Sequence, residues 1–403
     1  MKYVMVVGDG MADMPIEALG GKTPIEYLAP EAFAVVGTGE LGRLRSCPEG
    51  LPPGSDVAFL TLFGNDTAAC YNGRSPLEAA GMGIEVRPGE VAFRLNMAAI
   101  TDDGYYGGKM LSHNGGSIEG EDAFRLITDL IEDHAFAALM REIGMRIVPT
   151  DTFRHVAIMP GEMDRYILAP PHDIVGQPVS AHMPAGPGAG PIERLMRRSF
   201  ELLNHHPIND KRRAEGKLAA NTAWLWGAGS AYVLDDFGEK YGINGTVISA
   251  VPLVKGIAKL NRLKVPDVKG ATGLLDTNYE GKVEAALEAL RTGDDFALVH
   301  IEAPDEMSHD GSLPNKLEAI RRVSERVLVP LLRELPKMGD FRLILLPDHY
   351  TLLSTRTHDG TPVPYAIFDS RHHQGARLYT EAACADAPMH EDGDAMLRQL
   401  FLL

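Results

Sequence analysis

Six acidic and imidazole side chains follow apolar segments at widely separated points of the sequence. They come after YVMVVG, FALVHI and RLILLP, or in the loop before YAIF, and are Asp9, Asp305, His309, Asp348, His349 and His358. Because each apolar run has the length and composition of a buried strand, we expect these side chains at strand ends. Carboxylates mixed with imidazoles, without thiolates, suit Mn²⁺ or Zn²⁺ better than a structural cysteine-type zinc site.

Each of these residues also has a structural interpretation when it is taken alone. Asp9 fits a turn, Asp305 could cap the helix that begins near Ser312, and a solitary His349 or His358 is commonly a satisfied structural histidine. Their joint placement favours a metal site, because structural residues have no need to converge on one sheet edge.

Ser55 follows a Pro-Pro-Gly turn and stands at the start of the helix predicted from LPPGSDVAFLTLFGND (51–66). Backbone N–H groups and the positive end of the helix dipole at such a position favour a phosphoryl oxygen. A simple helix N-cap is the alternative role for this serine.

The apolar runs alternate with helical patterns over 278–293 and 315–339. Strands that alternate with helices of this length predict an α/β fold with a doubly wound, mostly parallel sheet. Ligands of such sheets collect beyond the carboxyl ends of the strands, which is where the acidic and imidazole side chains fall.

The middle of the chain has a different pattern. Residues 85–180 combine strand-like segments with a helical segment, EDAFRLITDLIEDHAFAALMREIG, and this predicts a smaller α+β insertion or lid. The stretch MPAGPGAGP (183–191) has the composition of a hinge. We therefore expect a discontinuous core, 1–84 and 181–403, interrupted by the insertion.

Bulk properties narrow the class of partner. At 403 residues the chain exceeds the roughly 250–300 at which single cores stop growing, so two domains are expected. A formal charge of −16 argues against nucleic acid and anionic membranes as partners.

Three scattered cysteines, Cys47, Cys70 and Cys384, predict reduced thiols. The apolar run at the N-terminus is too short for a signal peptide, so we expect a cytoplasmic protein.

Taken together, the motifs resemble those of the archaeal-type cofactor-independent (2,3-bisphosphoglycerate-independent) phosphoglycerate mutases, a family of the alkaline phosphatase superfamily. The resemblance covers nearly the whole chain. It is carried by GDGMAD (8–13), GKTPIEYLAP (21–30), PPGSDVA (52–58), NTAWLWGAG (221–229), VPLVKGIAKL (251–260), GATGLLDTNYEGK (270–282), PDEMSHDG (304–311), PDH (347–349) and RTHDGTPVP (356–364).

The resemblance implies a core of alkaline-phosphatase type and a dinuclear metal site. One ion would be held by Asp9, Ser55, Asp348 and His349, and the other by Asp305, His309 and His358. It further implies an isomerase of glycolysis and gluconeogenesis that interconverts 2- and 3-phosphoglycerate through a phosphoserine at Ser55. Mn²⁺ is the expected metal, with Mg²⁺, Co²⁺ or Zn²⁺ as alternatives, and 2,3-bisphosphoglycerate is not required.

A mutase must also keep water out and glycerate in, which is a role for the insertion as a lid that presents cations to the substrate. The candidates for binding this small phosphorylated hydroxy acid are Arg94, Arg154, His155, His172, Asp173 and Lys255, although a strand arginine fits a solvated face equally well. A monomer or small homo-oligomer is expected.

Several positions beside the implied site depart from the usual family pattern. Relatives usually read SDVAN where this chain reads SDVAF, and DEAGH where it reads DEMSH. These departures leave the identity of the phosphoryl acceptor open. The alternative function is therefore a metal-dependent phosphatase, or a phosphotransferase that acts on another hydroxy acid, such as a homoserine kinase. A catalytically silent metabolite-binding protein is a third, disfavoured by the presence of every implied ligand.

Overall fold

The computed structural model of the protein describes residues 1–372 and 377–403. These form two compact units. The first comprises Met1–Tyr71, Ala80–Gly83 and Val233–Leu403, and the second Asn72–Ala79 and Ile84–Tyr232.

Strands of both units are numbered in chain order. In the described part of the chain they are β1 (Lys2–Gly8), β2 (Glu40–Leu44), β3 (Glu90–Ile100), β4 (Met110–Ser112), β5 (Arg146–Val148), β6 (Arg154–Pro160), β7 (Thr222–Ser230), β8 (Gly245–Ile248), β9 (Phe296–Ile301), β10 (Phe341–Leu346), β11 (Tyr350–Leu352), β12 (Thr357–Asp359), β13 (Val363–Asp369) and β14 (Met389–His390).

The α-helices are numbered in the same way. Across the same described residues they are α1 (Pro24–Leu28), α2 (Glu31–Val36), α3 (Ser55–Leu62), α4 (Thr67–Cys70), α5 (Ser75–Gly81), α6 (Gly120–Glu132), α7 (His134–Ile143), α8 (Ala189–Leu203), α9 (Pro207–Ala214), α10 (Phe237–Tyr241), α11 (Pro252–Leu260), α12 (Tyr279–Arg291), α13 (Ala303–His309), α14 (Leu313–Arg322), α15 (Val329–Glu334), α16 (Glu381–Cys384) and α17 (Gly393–Phe401). A π-helical segment, Val323–Leu328, joins α14 to α15. Short 3-10 helices are Glu17–Leu19, Met163–Arg165, Val179–His182 and Leu335–Met338.

The first unit is built on a seven-stranded sheet in the order β14-β2-β13-β10-β1-β9-β8. β1 lies between β10 and β9 and is parallel to both, so the carboxyl ends of these three strands meet at one edge. β13 runs antiparallel to its neighbours β10 and β2. The predicted α/β fold with a doubly wound, mostly parallel sheet is confirmed.

The central strands are apolar on both faces because helices cover both sides of the sheet. On one face Val4 and Val6 belong to a buried cluster with residues of α2, α12 and α14. On the other face Tyr3 packs edge-on against Phe401 of α17, with ring centroids 5.0 Å apart. Burial on both sides makes the strand ends a firm support for the side chains that follow them.

The second unit is a smaller α+β body around an antiparallel sheet. β3 is its central strand and pairs with β6 on one side and β7 on the other. The helices α6, α7 and α8 bury their apolar faces on this sheet, with Leu126, Phe136 and Phe200 among the core residues.

The boundaries of this second unit differ from the predicted insertion at 85–180. It extends to Tyr232, because β7 pairs with β3 over seven residues and α8 packs its apolar face in the same core. The chain therefore does not re-enter the first unit at the Pro/Gly-rich stretch 183–191. This stretch leads into α8 instead. The predicted single helix 121–144 is also two helices, because Asp133 caps the start of α7 by accepting from the N–H groups of Ala135 and Phe136.

Among the described residues, none of the helices has both the length and the apolar character needed to span a membrane. Cys47, Cys70 and Cys384 are all unpaired.

Candidate metal centre

The first candidate cluster lies where two adjacent strands end. Asp9 follows β1, and its N–H donates to the carbonyl of Ile301 at the end of β9. Asp348 and His349 follow β10, and Asp348 Oδ1 accepts from the N–H groups of Gly10 (3.2 Å) and His349 (2.9 Å). Each of the three side chains offers a ligand atom within 4.8 Å of those of the other two.

Two oxygens of this cluster are buried without a partner. Asp9 Oδ1 and Asp348 Oδ2 accept no hydrogen bond from the described residues. They lie 3.6 and 3.2 Å from Nε2 of His349. Burial, reinforced by repulsion from Asp348 and Asp305, raises the pKa of Asp9 well above its ordinary value. Unpaired buried carboxylate oxygens are costly, and a bound cation removes that cost.

The second cluster is formed by α13 and the β11–β12 hairpin. Asp305 and His309 lie one helical turn apart on α13, with His309 Nε2 3.3 Å from Asp305 Oδ2. His358 on β12 brings its Nε2 to 3.5 Å from Asp305 Oδ1 and 3.0 Å from His309 Nε2. The His349 and His358 ring centroids are 4.1 Å apart, so the two clusters adjoin.

Charge in the second cluster is distributed differently. Burial would raise the pKa of Asp305, but hydrogen bonds from His309 and His358 outweigh it and hold that pKa well below its ordinary value. The hydrogen bond to Asp305 raises the pKa of His309 to about 9. In the absence of an ion, a proton on His309 therefore balances the carboxylate.

The three histidines present the same nitrogen to the centre. Nδ1 of His309 faces the carbonyl of Arg356 at 2.9 Å, and Nδ1 of His358 faces the carbonyl of Pro53 at 3.2 Å. Nδ1 of His349 lies 3.1 Å from the hydroxyl of Thr351. A carbonyl can only accept, so Nδ1 of His309 and of His358 carries a proton, and Nε2, which must be deprotonated to coordinate, is the nitrogen available to a metal.

Ser55 is the first residue of α3, and Gly54 takes the N-cap position without a side-chain cap. The hydroxyl of Ser55 lies 3.2 Å from Nε2 of His349. The alternative role of Ser55 as a helix N-cap therefore does not apply. The two clusters and Ser55 together fit divalent ions. They bring together unpartnered carboxylate oxygens, three imidazole nitrogens and one hydroxyl, and they include no thiolate.

Sequence reasoning missed two residues that orient these side chains. His300, inside β9, directs Nε2 to Asp9 Oδ2 at 2.8 Å. Thr351 directs its hydroxyl to Asp305 Oδ1 at 2.6 Å. A histidine within the otherwise apolar run FALVHI was the available signal for the first.

In the second unit, two predicted substrate-binding residues, Arg94 and Arg154, share one face of the sheet. Arg94 forms an ion pair with Glu78 (2.9 Å), and its guanidinium lies 4.3 Å from the ring centroid of Trp226. Arg74, which sequence reasoning did not single out, pairs with the other oxygen of Glu78 at 2.8 Å. Burial would raise the pKa of Glu78, but the positive charges of Arg94 and Arg74 lower it.

Of three further candidates, His172 contacts the same tryptophan, Asp173 lies beside His172, and Arg154 contacts Phe153. The ring of His172 is 5.1 Å from that of Trp226, and its Nε2 is 3.5 Å from Asp173 Oδ1. The guanidinium of Arg154 stacks at 4.9 Å on Phe153. Arg154 also pairs with Asn96 across the strands, on the face that carries Arg94. Arginines, an aromatic ring and a histidine together suit an anionic small molecule.

His155 and Lys255 do not join these groups. His155 alternates with Arg154 along β6, so it points to the opposite face; it is buried, and its Nδ1 accepts from the N–H of Thr150. Burial lowers the pKa of His155 to about 3, so it is neutral and structural. Lys255, on α11 of the first unit, pairs with the exposed Asp267 at 2.7 Å.

Comparison with known proteins places the chain in a family. The model of the family described as 2,3-bisphosphoglycerate-independent phosphoglycerate mutase matches residues 37–209. A probable 2,3-bisphosphoglycerate-independent phosphoglycerate mutase of Geobacter sulfurreducens is 41% identical, over 99% of both chains. A 2,3-bisphosphoglycerate-independent phosphoglycerate mutase of Methanothrix thermoacetophila is 43% identical, over 92% of this chain and 91% of the relative.

Solved structures show the same fold. The PH0037 protein from Pyrococcus horikoshii has a TM-score of 0.76 at 25% identity, over 100% of this chain and 97% of that chain. The cofactor-independent phosphoglycerate mutase from Thermoplasma acidophilum has a TM-score of 0.64 at 24% identity, over 100% of this chain and 99% of that chain. With full-length identity of about 40% to curated relatives, the chain belongs to the family of 2,3-bisphosphoglycerate-independent phosphoglycerate mutases.

Proposed function

We propose that this protein is an isomerase that interconverts 2-phosphoglycerate and 3-phosphoglycerate through a phosphoserine at Ser55. Its full-length relatives carry the name of this activity. The observation that carries the proposal is local: the Ser55 hydroxyl lies 3.2 Å from His349 Nε2, beside the two unpartnered oxygens of Asp9 and Asp348.

We infer that the two clusters hold two divalent ions. Asp9, Asp348 and His349, with Ser55, would bind one, and Asp305, His309 and His358 the other. Mn²⁺ is the favoured ion because it accepts carboxylate and imidazole ligands together. Such ions supply Lewis-acid chemistry, which lowers the pKa of a bound hydroxyl and neutralises charge on a phosphoryl group.

The protein's own residues account for the transfer in two balanced steps. In the first, Ser55 Oγ forms a bond to phosphorus, the bond from phosphorus to the glycerate oxygen breaks, Ser55 loses a proton and the released hydroxyl gains one. In the second, the neighbouring glycerate hydroxyl loses its proton and forms a bond to phosphorus, the bond from phosphorus to Ser55 Oγ breaks, and Ser55 regains a proton. Ser55 is the first residue of α3, and the N–H groups of a first helical turn favour an anionic phosphoryl group.

The substrate is a small phosphorylated hydroxy acid, so it carries several negative charges. We propose that Arg74, Arg94 and Arg154 bind its acidic groups, with His172 and Asp173 orienting a hydroxyl. The support is that Arg94 and Arg154 share one face of the sheet of the second unit, that Arg94 and His172 contact Trp226, and that Arg74 and Arg94 pair with the same carboxylate. Replacing Arg94 with methionine should raise KM more than it lowers kcat.

The function is tested by product analysis. Purified protein with Mn²⁺ is incubated with 3-phosphoglycerate, and the phosphorus signals are followed by NMR. We expect 2-phosphoglycerate at equilibrium with its isomer. Free phosphate alone would indicate a phosphatase, and turnover only with ATP and homoserine would indicate a kinase; either result contradicts the mutase.

Replacing Ser55 with alanine should lower kcat by about 10⁴-fold or more, because the group that accepts the phosphoryl is gone. Mn²⁺ should still bind, since the carboxylates and imidazoles remain, and calorimetric titration of the same variant is the control. A Ser55→Ala protein with near-normal mutase activity would exclude the phosphoserine.

We further propose a cytoplasmic protein that acts as a monomer or small homo-oligomer. The three unpaired cysteines support a reducing compartment.

A further inference from the structure

Thr351 contacts both candidate clusters through one hydroxyl group. The residue is fully buried on β11, two positions after His349. Its Oγ1 lies 2.6 Å from Asp305 Oδ1 in the second cluster and 3.1 Å from His349 Nδ1 in the first. Thr351 is also paired with His358 across the β11–β12 hairpin. A single side chain thus contacts or adjoins three of the proposed ligands.

The direction of these hydrogen bonds follows from the chemistry of the groups. A hydroxyl has one proton, and the ionised carboxylate of Asp305 can only accept, so Thr351 donates to Asp305. The hydroxyl oxygen is then free to accept from Nδ1–H of His349. This direction leaves the His349 Nε2 lone pair facing Ser55, Asp9 and Asp348.

The position of the hydroxyl is fixed by its surroundings. Lys316 is fully buried and donates to the carbonyl of Thr351 at 2.7 Å and to Asp13 Oδ2 at 2.8 Å, which holds the backbone of β11. On the other side is Gly10, whose φ is +58°. A Cβ at Gly10 would lie 2.7 Å from Asp305 Oδ1, so the chain needs glycine there to leave room for this hydrogen bond.

We propose that Thr351 is a positioning residue that couples the two metal sites, so that filling one raises the affinity of the other. The proposal rests on the proposed function, because it requires that both clusters bind ions. An ion held by His349 would make its Nδ1–H a stronger donor, and hydrogen bonds in a chain polarise one another. The same hydroxyl then orders Asp305 for the second ion.

Titration of the metal-free protein with Mn²⁺, followed by calorimetry, tests the proposal. Wild-type protein should take up two ions in coupled steps. Thr351→Val keeps the shape of the side chain but removes the hydroxyl, and should weaken binding of one ion by about 10- to 100-fold and make the steps independent. Thr351→Ser keeps a hydroxyl, so it should bind both ions with the affinity and the coupling of the wild type. A purely structural role of Thr351 would not predict this recovery. Thr351→Ala removes the same hydroxyl if the valine variant fails to fold.

Thr246→Val is the matched control. Thr246 is buried in β8 of the same sheet and donates to Asp294, so this variant loses a comparable buried hydrogen bond far from both clusters. It should bind Mn²⁺ like the wild type. Wild-type binding in Thr351→Val, or equal losses in the serine and valine variants, would overturn the proposal. Failure of wild-type protein to bind two ions would instead contradict the metal sites of the proposed function.

Discussion

At the scale of single residues, the orientation of Asp9 depends on a directed chain of hydrogen bonds. The N–H of Val251 donates to Ser249 Oγ at 3.0 Å, and the same oxygen lies 2.9 Å from Nδ1 of His300; a serine that donates to this nitrogen leaves the ring proton on Nε2. Burial lowers the pKa of His300 well below its ordinary value, which keeps the ring neutral. Its remaining proton, on Nε2, therefore points to Asp9 Oδ2 and leaves Oδ1 for an ion.

Replacing Ser249 with alanine should weaken Mn²⁺ binding by about 10-fold, because His300 then loses the donor that fixes its proton on Nε2. Calorimetric titration measures the effect. Ser199→Ala is the control, since Ser199 is also fully buried and donates to Met196 but lies in the second unit. If both variants bind Mn²⁺ as the wild type does, the hydrogen-bond chain has no part in holding the ion.

Several candidate ligands were predictable from sequence because they follow apolar strands: Asp9 comes after β1, and Asp348 and His349 come after β10. The residues that orient them were not: Thr351 acts through a hydroxyl, and Ser249 acts on Asp9 only through His300. Such contacts depend on the register between strands that are distant in the chain. Neither residue type nor local spacing specifies that register.

At the scale of elements, the local sequence pattern predicted where a strand lies better than it predicted which strand it pairs with. The strand predicted over 296–301 is observed as Phe296–Ile301, since its apolar run is set by burial on both faces. The return to the first unit was misplaced because β7 resembles a core strand in composition yet pairs with β3, more than 100 residues earlier.

The β5–β6 hairpin contains a buried histidine with a consequence for stability. His155 stays neutral in the folded protein down to its pKa of about 3, whereas the unfolded chain takes up a proton below about pH 6.5. The depressed pKa therefore adds stability above pH 6.5 that is lost as pH falls towards 3. The loss is about 1.4 kcal/mol for each pH unit.

His155→Gln should remove this pH dependence while retaining an acceptor for the N–H of Thr150. Between pH 7 and pH 5 the wild type should lose about 2 kcal/mol more unfolding free energy than the variant. Urea denaturation at the two pH values measures the difference. An identical loss in both proteins would mean that His155 titrates normally, and would return it to the set of accessible substrate-binding candidates.

At the scale of the whole molecule, the two units differ in what an ion can stabilise. Both candidate metal clusters found in the described residues lie in the first unit, where Asp9, Asp348 and Asp305 are buried close together. The chain also carries a formal charge of −16, so divalent cations reduce repulsion as well as satisfying the unpartnered oxygens. Ion binding is therefore expected to stabilise one unit selectively.

Hydrogen exchange measured by mass spectrometry can resolve this difference. Mn²⁺ at about 100 times its dissociation constant contributes about 2.7 kcal/mol per site to the folded state. We expect slower exchange in peptides from 1–71 and 233–403, centred on Asp9, Asp305 and Asp348, and unchanged exchange in peptides from 84–232. EDTA should reverse the protection, and 2,3-bisphosphoglycerate should not restore it. Ion binding protects only those amides that open together with the unit that holds the ion. Equal protection of 84–232 would therefore show that ions also bind outside the two clusters of the first unit.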